Sequence, residues 1–331
     1  MSLIEVEDLN KTFKIATRRG GPFGALKTLL SREYHDVRAV DGVSFRLEAG
    51  EMVGYIGPNG AGKSTTIKML TGILVPSDGH IMVDGRVPHQ QRVTHVRRIG
   101  VVFGQRTQLW WDLPTIESFE LLRYIYRIPE QRWRKNLKAF TELLDLGPFL
   151  ETPVRQLSLG QRMRADLVAA LLHEPAILFL DEPTIGLDIV AKERIRQFLA
   201  HINRERGVTV ILTTHDLGDI ERLCSRVLLI DHGHVIYDGQ LEALRQRFGQ
   251  QRTLVVDFDQ EVNGIQIENA AVVRHEGRRI WLRFNRTTTT AAALIADLAA
   301  HYRIRDLTVE EPEIEGVVRE IYEHGSVAAH V

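Results

Sequence analysis

Cysteine is nearly missing from this chain, with Cys224 the sole thiol in 331 residues. One thiol excludes an intramolecular disulfide and fits a reducing compartment; within the helical-looking stretch 216–225 it is expected to fill core. Long apolar runs are missing too. Stretches such as 167–172 and 177–180 are separated by His173, Glu174 and Pro175, far short of the roughly 20 apolar residues that span a bilayer. Net charge is also lacking, 42 Lys and Arg standing against 43 Asp and Glu. No global field therefore draws the chain to anionic lipid or nucleic acid, and no nucleic-acid partner is expected. The opening MSLIEVEDLN places acids where an export signal needs a basic and then an apolar segment, so no signal peptide is expected. Neither an internal repeat nor a low-complexity tract occurs.

What is present is an apolar fraction of 44%, ample for packed cores. Short β-rich runs at 4–7, 44–47, 52–56, 99–103, 177–180, 209–213 and 227–231 alternate with amphipathic helical ones. That alternation predicts an α/β domain with a largely parallel sheet and antiparallel strands near the N-terminus. The run ILFL at 177–180 reads as a strand buried on both faces. An insertion interrupts the pattern at about 15–38, where Arg18, Arg19, Gly20, Gly21 and Pro22 lead into an amphipathic ALKTLLSREY. A helical subdomain is expected at about 106–175, with Leu121, Leu122, Ile125, Leu137, Phe140, Leu143 and Leu144 as one apolar face. The first domain is expected to end near residue 246. Beyond it, RTLVVDF, the hairpin-like AVVRHEG and RRIWLRF, a helix around 291–301, RIRDLTVE and a last helix from Glu313 predict a small α+β domain at 247–331.

The nine residues Gly57, Pro58, Asn59, Gly60, Ala61, Gly62, Lys63, Ser64 and Thr65 fit the pattern G-x-x-x-x-G-K-[ST], after the strand MVGYI and before the helical TTIKMLTG. In that context glycines turn the backbone so that N–H groups and a helix N-terminus cradle a polyphosphate. Lys63 would reach the β- and γ-phosphates of ATP, and Ser64 would bind Mg²⁺. Downstream, ILFLDEP ends a strand in Asp181, a metal ligand through water, and Glu182, a base or orienter for the attacking water. Gln105 ends the strand IGVVF and is a neutral candidate for ligating the metal and positioning water. His215, in LTTHD, is a candidate hydrogen-bond donor to a γ-phosphate oxygen or else a helix cap. Ser158 and Gln161 have capping-box spacing, and with Gly160 they form a helix start able to take a phosphate from a second subunit.

Taken in order, residues 57–65, Gln105, LSLGQ at 157–161, ILFLDEP, GLD at 186–188 and His215 resemble the phosphate loop, Q-loop, signature, Walker B, D-loop and switch histidine of ATP-binding cassette (ABC) ATPases, over about residues 4–239. The resemblance implies an ATPase in which two cassettes sandwich two ATP molecules, each site pairing the phosphate loop of one subunit with the signature of the other. It therefore implies a second ATPase subunit, a homodimer for a lone copy, and membrane permease subunits that hold the pair at the cytoplasmic face of the membrane. It also implies that Phe13 stacks on adenine. Leu159 departs from the pattern, standing where glycine is usual. The tail LTVEEPEIEGVVREIYE and the wording VVFGQRTQLWWDLP are similar to subunits of type-2 exporters, in which Trp110 and Trp111 would face the permease. The alternatives are a soluble ABC ATPase acting on ribosomes or nucleic acid, and an importer ATPase, whose tail is commonly β-rich.

Overall fold

The structure of the protein, a computed structural model, describes residues 2–16, 34–104, 106–248, 251–262, 264–265, 267–310 and 314–323. The chain divides into two compact units, Met1–Asp238 and Gly239–Val331. The strands in chain order are β1 (Ile4–Ala16), β2 (Tyr34–Leu47), β3 (Met52–Ile56), β4 (Asp78–Val83), β5 (Ile99–Phe103), β6 (Ile177–Asp181), β7 (Thr209–Thr213), β8 (Arg226–Asp231) and β9 (His234–Gln240).

Six of them form a sheet of order β5-β6-β7-β3-β8-β9, in which the first five run parallel. Their sequences demand this arrangement. MVGYI, ILFL and TVILT are buried at every residue, as strands covered on both faces must be. Register then sets the site: Phe103 pairs with Asp181, Asp181 with Thr213, and Thr213 with Tyr55. Four strands thus end level at the edge where open α/β sheets receive ligands.

β1 lies between β2 and β4 in a second, antiparallel sheet. Its ladder with β2 continues to Ile15↔His35 and Ala16↔Tyr34, so the described ends of the 15–38 segment are paired strand. Residues 17–33, with Arg18, Arg19 and most of ALKTLLSREY, lie outside the described residues.

Helices Thr115–Tyr126, Glu130–Leu144 and Leu159–Leu171 follow β5. The single apolar face expected there is corrected by the packing. Phe119, Leu122, Phe140 and Leu144 are buried, whereas Leu121, Ile125 and Leu143 are exposed, as are Trp110, Trp111 and Tyr124. The reason is angular: 121 and 125 lie a turn apart on a flank that 119 and 122 do not share. Cys224 is buried at the end of helix Leu217–Leu223, where burial holds its thiol well above the usual range. Among the described residues no helix is long and apolar enough to cross a membrane.

The second unit contains β10 (Gln251–Phe258), β11 (Ala270–Glu276), β12 (Arg279–Asn285) and β13 (Ile304–Glu310), antiparallel in the order β11-β12-β10-β13. Period-two alternation turns Leu254, Val256 and Phe258 of β10 and Ile280, Leu282 and Phe284 of β12 into one core with Leu294 and Leu298 of helix Ala291–His301. Thr290 caps that helix by accepting from the Ala293 N–H at 3.2 Å. Helix Ile314–Glu323 follows β13.

Candidate active site

β3 delivers the chain into the phosphate loop, and helix Lys63–Leu70 leaves it. Gly62, the N-cap, sits at φ 104°, and a Cβ there would come within 2.3 Å of the Ala39 carbonyl oxygen. Only glycine fits such a position. Pro58, Asn59 and Gly60 are exposed at the crest, Ala61 is buried beneath it, and Thr65 is half-buried on the helix. Lys63 lies across the loop, its Nζ donating to the carbonyls of Gly57 at 2.6 Å and Pro58 at 3.0 Å. Burial lowers the pKa of this ammonium, and the carboxylates of Glu182 and Asp181 oppose that shift. The loop is pinned from below, where Tyr55 donates to the Thr66 hydroxyl and Thr66 donates to the Gly62 carbonyl, each at 3.2 Å.

The neighbouring strand ends supply the acids. Asp181 Oδ1 accepts from Ser64 Oγ at 3.2 Å and from Thr213 Oγ1 at 2.5 Å. Glu182 follows in the left-handed region at φ 54°, held by its N–H donating to the Thr213 carbonyl at 2.9 Å. Such a conformation costs a non-glycine residue about 1–3 kcal/mol and clusters at functional sites. It leaves Glu182 Oε1 3.2 Å from Nδ1 of His215, whose side chain is 58% exposed. His215 therefore faces Glu182, and the residue that begins the following helix is Asp216.

A cavity of about 320 Å³ opens here, lined by Ser64, Lys68, Gly104, Arg106, Asp181 and Glu182 among others. Gln105 lies outside the described residues, between two that line the cavity. A hydroxyl and a carboxylate within 3.2 Å of each other are hard oxygen donors of the kind Mg²⁺ takes alongside phosphate oxygens. The donor set fits that ion.

The signature segment is built as a capped helix start. Gln161 N–H donates to Ser158 Oγ at 3.2 Å and Ser158 N–H donates to Gln161 Oε1 at 2.8 Å, which is the reciprocal capping box its spacing predicts. Leu159 has a different occupation: its Cδ2 lies 3.1 Å from where a Cβ on Gly186 would stand, and a Cβ on Gly160 would stand 3.4 Å from the Ala191 side chain. The unusual leucine thus packs over the chain's own 186–188 turn. Among the described residues no hydrogen bond joins Ser158 or Gln161 to the phosphate loop of the same chain.

Phe13 sits on β1 opposite Val37, half-buried, with the Lys11 ammonium 5.3 Å from its ring centre. Three polar residues that sequence reasoning passed over are tied into this region. Thr213 is the second partner of Asp181. Asp166, 3% exposed on the signature helix, accepts from Thr107 Oγ1 at 2.9 Å and from Gln108 N–H at 3.0 Å. Asp219, fully buried, accepts from Thr184 Oγ1 and from Arg196 Nε. The signal available for Asp166 was an acid inside the apolar helix run ADLVAALL.

The family model described as ABC transporter matches residues 40–185. The linearmycin resistance ATP-binding protein LnrL of Bacillus subtilis is 30% identical over 294 residues, 86% of this chain and 94% of that protein. The methionine import ATP-binding protein MetN of Latilactobacillus sakei is 36% identical over 220 residues, 64% of this chain and 63% of that protein. Among solved structures, a dimeric ATP-binding cassette in a post-hydrolysis state with ADP and Pi superposes with a TM-score of 0.60 at 27% identity, covering 72% of this chain and 98% of that one.

Proposed function

The chain belongs to the ABC transporter family, as an ATP-binding subunit that hydrolyses ATP, and on that premise we propose that it is one half of a composite ATPase driving an exporter. The observation that carries this reading is the convergence of Ser64, Asp181 and Glu182 on one cavity at the phosphate loop, with His215 hydrogen-bonded to Glu182. The loop N–H groups and the start of helix Lys63–Leu70 receive the phosphates of ATP, and Lys63 turns from the Gly57 and Pro58 carbonyls to the β- and γ-oxygens. Ser64, Asp181 and Gln105 would hold Mg²⁺, which when bound would supply positive charge to offset that of the phosphate oxygens. Glu182 aligns the water that attacks the γ-phosphorus and accepts its proton as the bond to the β-phosphate oxygen breaks. His215 fixes the Glu182 carboxylate before ATP arrives and hydrogen-bonds the γ-phosphate afterwards. Phe13 stacks on adenine.

Each site needs a second chain. The capped helix start with Ser158, Gly160 and Gln161 is an anion-binding end that its own loop does not use, and the dimeric cassette with ADP and Pi supports supplying it across an interface. The exposed Trp110, Trp111, Leu121, Tyr124 and Ile125 offer aromatic and apolar surface to permease subunits, which would hold the chain peripherally at the cytoplasmic face of the membrane. Export is favoured by the mixed α+β second unit and by similarity to a resistance ATPase. Import is the second reading, favoured by similarity to MetN. The test is purification from native membranes in mild detergent, identification of the co-purifying chains, and their reconstitution in vesicles with ATP on one side only. Outward movement relative to the ATPase supports export; recovery only with ribosomes or nucleic acid contradicts the transporter role.

A further inference from the structure

Asp166 is an expensive residue for its position. It sits mid-helix between the buried Ala165 and Leu167, is 3% exposed, and burial pushes its carboxyl up to about 6 even though Gln108 and Thr107 donate to it. A buried acid of this kind costs stability relative to an apolar side chain. Its bonds have one destination. Thr107 Oγ1 donates to Oδ1 at 2.9 Å, Gln108 N–H donates to the same oxygen at 3.0 Å, and Gln108 Nε2 donates to the Asp166 carbonyl at 3.0 Å. The Thr107 hydroxyl also accepts from the Leu109 N–H at 3.1 Å, which closes the segment into a turn.

The two ends of this connection reach two different sites. On the loop side, Gly104 and Arg106 line the cavity of Ser64, Asp181 and Glu182. On the helix side, Asp166 is eight positions from Ser158, about 12 Å along a helix at 1.5 Å per residue, and the capping box keeps that helix start intact. The helix between them runs unbroken over Leu159–Leu171, 13 residues. We propose that Asp166 is a positioning residue, a latch that ties Thr107 and Gln108, next to the cavity-lining Arg106 of one ATP site, to the signature helix that completes the other site, so that occupancy of the first is passed to the second. This rests on the composite-ATPase reading. Two sites joined by such an element share a coupling free energy, and each biases the other equally.

The experiment compares the full chain with Asp166→Ala, Asp166→Asn and Thr107→Val, following ATP binding by a fluorescent ATP analogue, the ATPase rate against ATP concentration, and thermal unfolding. Asparagine keeps an Oδ1 that accepts both donors, so Asp166→Asn retains wild-type cooperativity. Asp166→Ala and Thr107→Val bind the analogue within about twofold of wild type. Their cooperativity is lost, the Hill coefficient falling to 1, and their kcat lies below that of wild type. Thr107→Val leaves the helix untouched, so it reads the latch even if Asp166→Ala unfolds. Wild-type cooperativity in Thr107→Val and in a folded Asp166→Ala overturns the latch and leaves the ATPase reading standing. Equal loss of analogue binding and of kcat also overturns it, because the residue would then serve its own site only. A wild-type chain without ATPase activity overturns the reading beneath it.

Discussion

Nδ1 of His215 lies 3.2 Å from Oε1 of Glu182, although 33 residues separate them. They meet because β6 and β7 are adjacent and parallel, with Asp181 in register with Thr213, so residues just past those positions emerge side by side. Glu182→Gln removes the proton acceptor and leaves the cradle intact. The expected result is wild-type ATP affinity with hydrolysis lowered by about 10²- to 10⁴-fold, the range for loss of a general base. Single-turnover hydrolysis of radiolabelled ATP measures it, and wild-type turnover would remove Glu182 from this role.

Gly62→Ala places a methyl group 2.3 Å from the Ala39 carbonyl at φ 104°. Ala39 is backbone of β2, so it cannot rotate away as a side chain would. The substitution should cost at least about 1–3 kcal/mol and abolish nucleotide binding, as read by urea unfolding and by titration with a fluorescent ATP analogue.

The Asp219 carboxylate is fully buried and held by Arg196, whose side chain is 12% exposed, and by the Thr184 hydroxyl. Asp219→Ala leaves the Arg196 guanidinium with only its longer contacts to Glu193 at 3.6 Å and Asp216 at 4.0 Å and should destabilise the chain by up to about 3–5 kcal/mol. The pair replacement Asp219→Leu with Arg196→Met should cost less than the single change. Chemical denaturation of the three variants checks the order.

Asp166 and His173 titrate with opposite consequences. Burial lifts the Asp166 carboxyl from 3.8 to about 6, so the folded state holds the proton more tightly and stability falls as pH rises through that window. Burial lowers His173 from 6.5 to about 4, so the unfolded state holds the proton more tightly and stability rises over nearly the same window. Each effect amounts to about 3 kcal/mol, and in the wild type they largely cancel. Asp166→Asn should therefore gain stability relative to wild type progressively between pH 4 and 6, and His173→Gln should gain it as pH falls from 6.5 to 4. Urea unfolding at half-unit steps resolves both slopes.

The local parts of this site were legible in the sequence, and the parts made by register were not. The nine-residue loop 57–65 and the box Ser158–Gln161 each depend on local spacing, so they could be read without a fold. Asp181 and Glu182 announced themselves at the end of an apolar strand. Thr213 did not, because its importance comes from standing opposite Asp181 on the next strand. The strands β4 and β9 were missed for a related reason: DGHIMV has two buried residues and HVIYDGQ none, so neither carries an apolar run. The split of Leu121 and Ile125 from Leu122 followed from the angle of one helix against its neighbours. Leu159 stands where glycine is usual in the signature, yet its side chain packs over Gly186 and leaves the Ser158 cap intact.

In the proposed assembly one chain supplies only half of each ATP site, and ATP-driven dimerisation of the Glu182→Gln chain is the measurement that decides it. The mass is measured by light scattering, with and without an added Ser158→Arg. Adding ATP is expected to shift the mass from one chain to two, and Ser158→Arg to abolish that shift while each chain still binds ATP. A Glu182→Gln chain that stays single with ATP bound, or a Ser158→Arg double variant that still pairs, would contradict it.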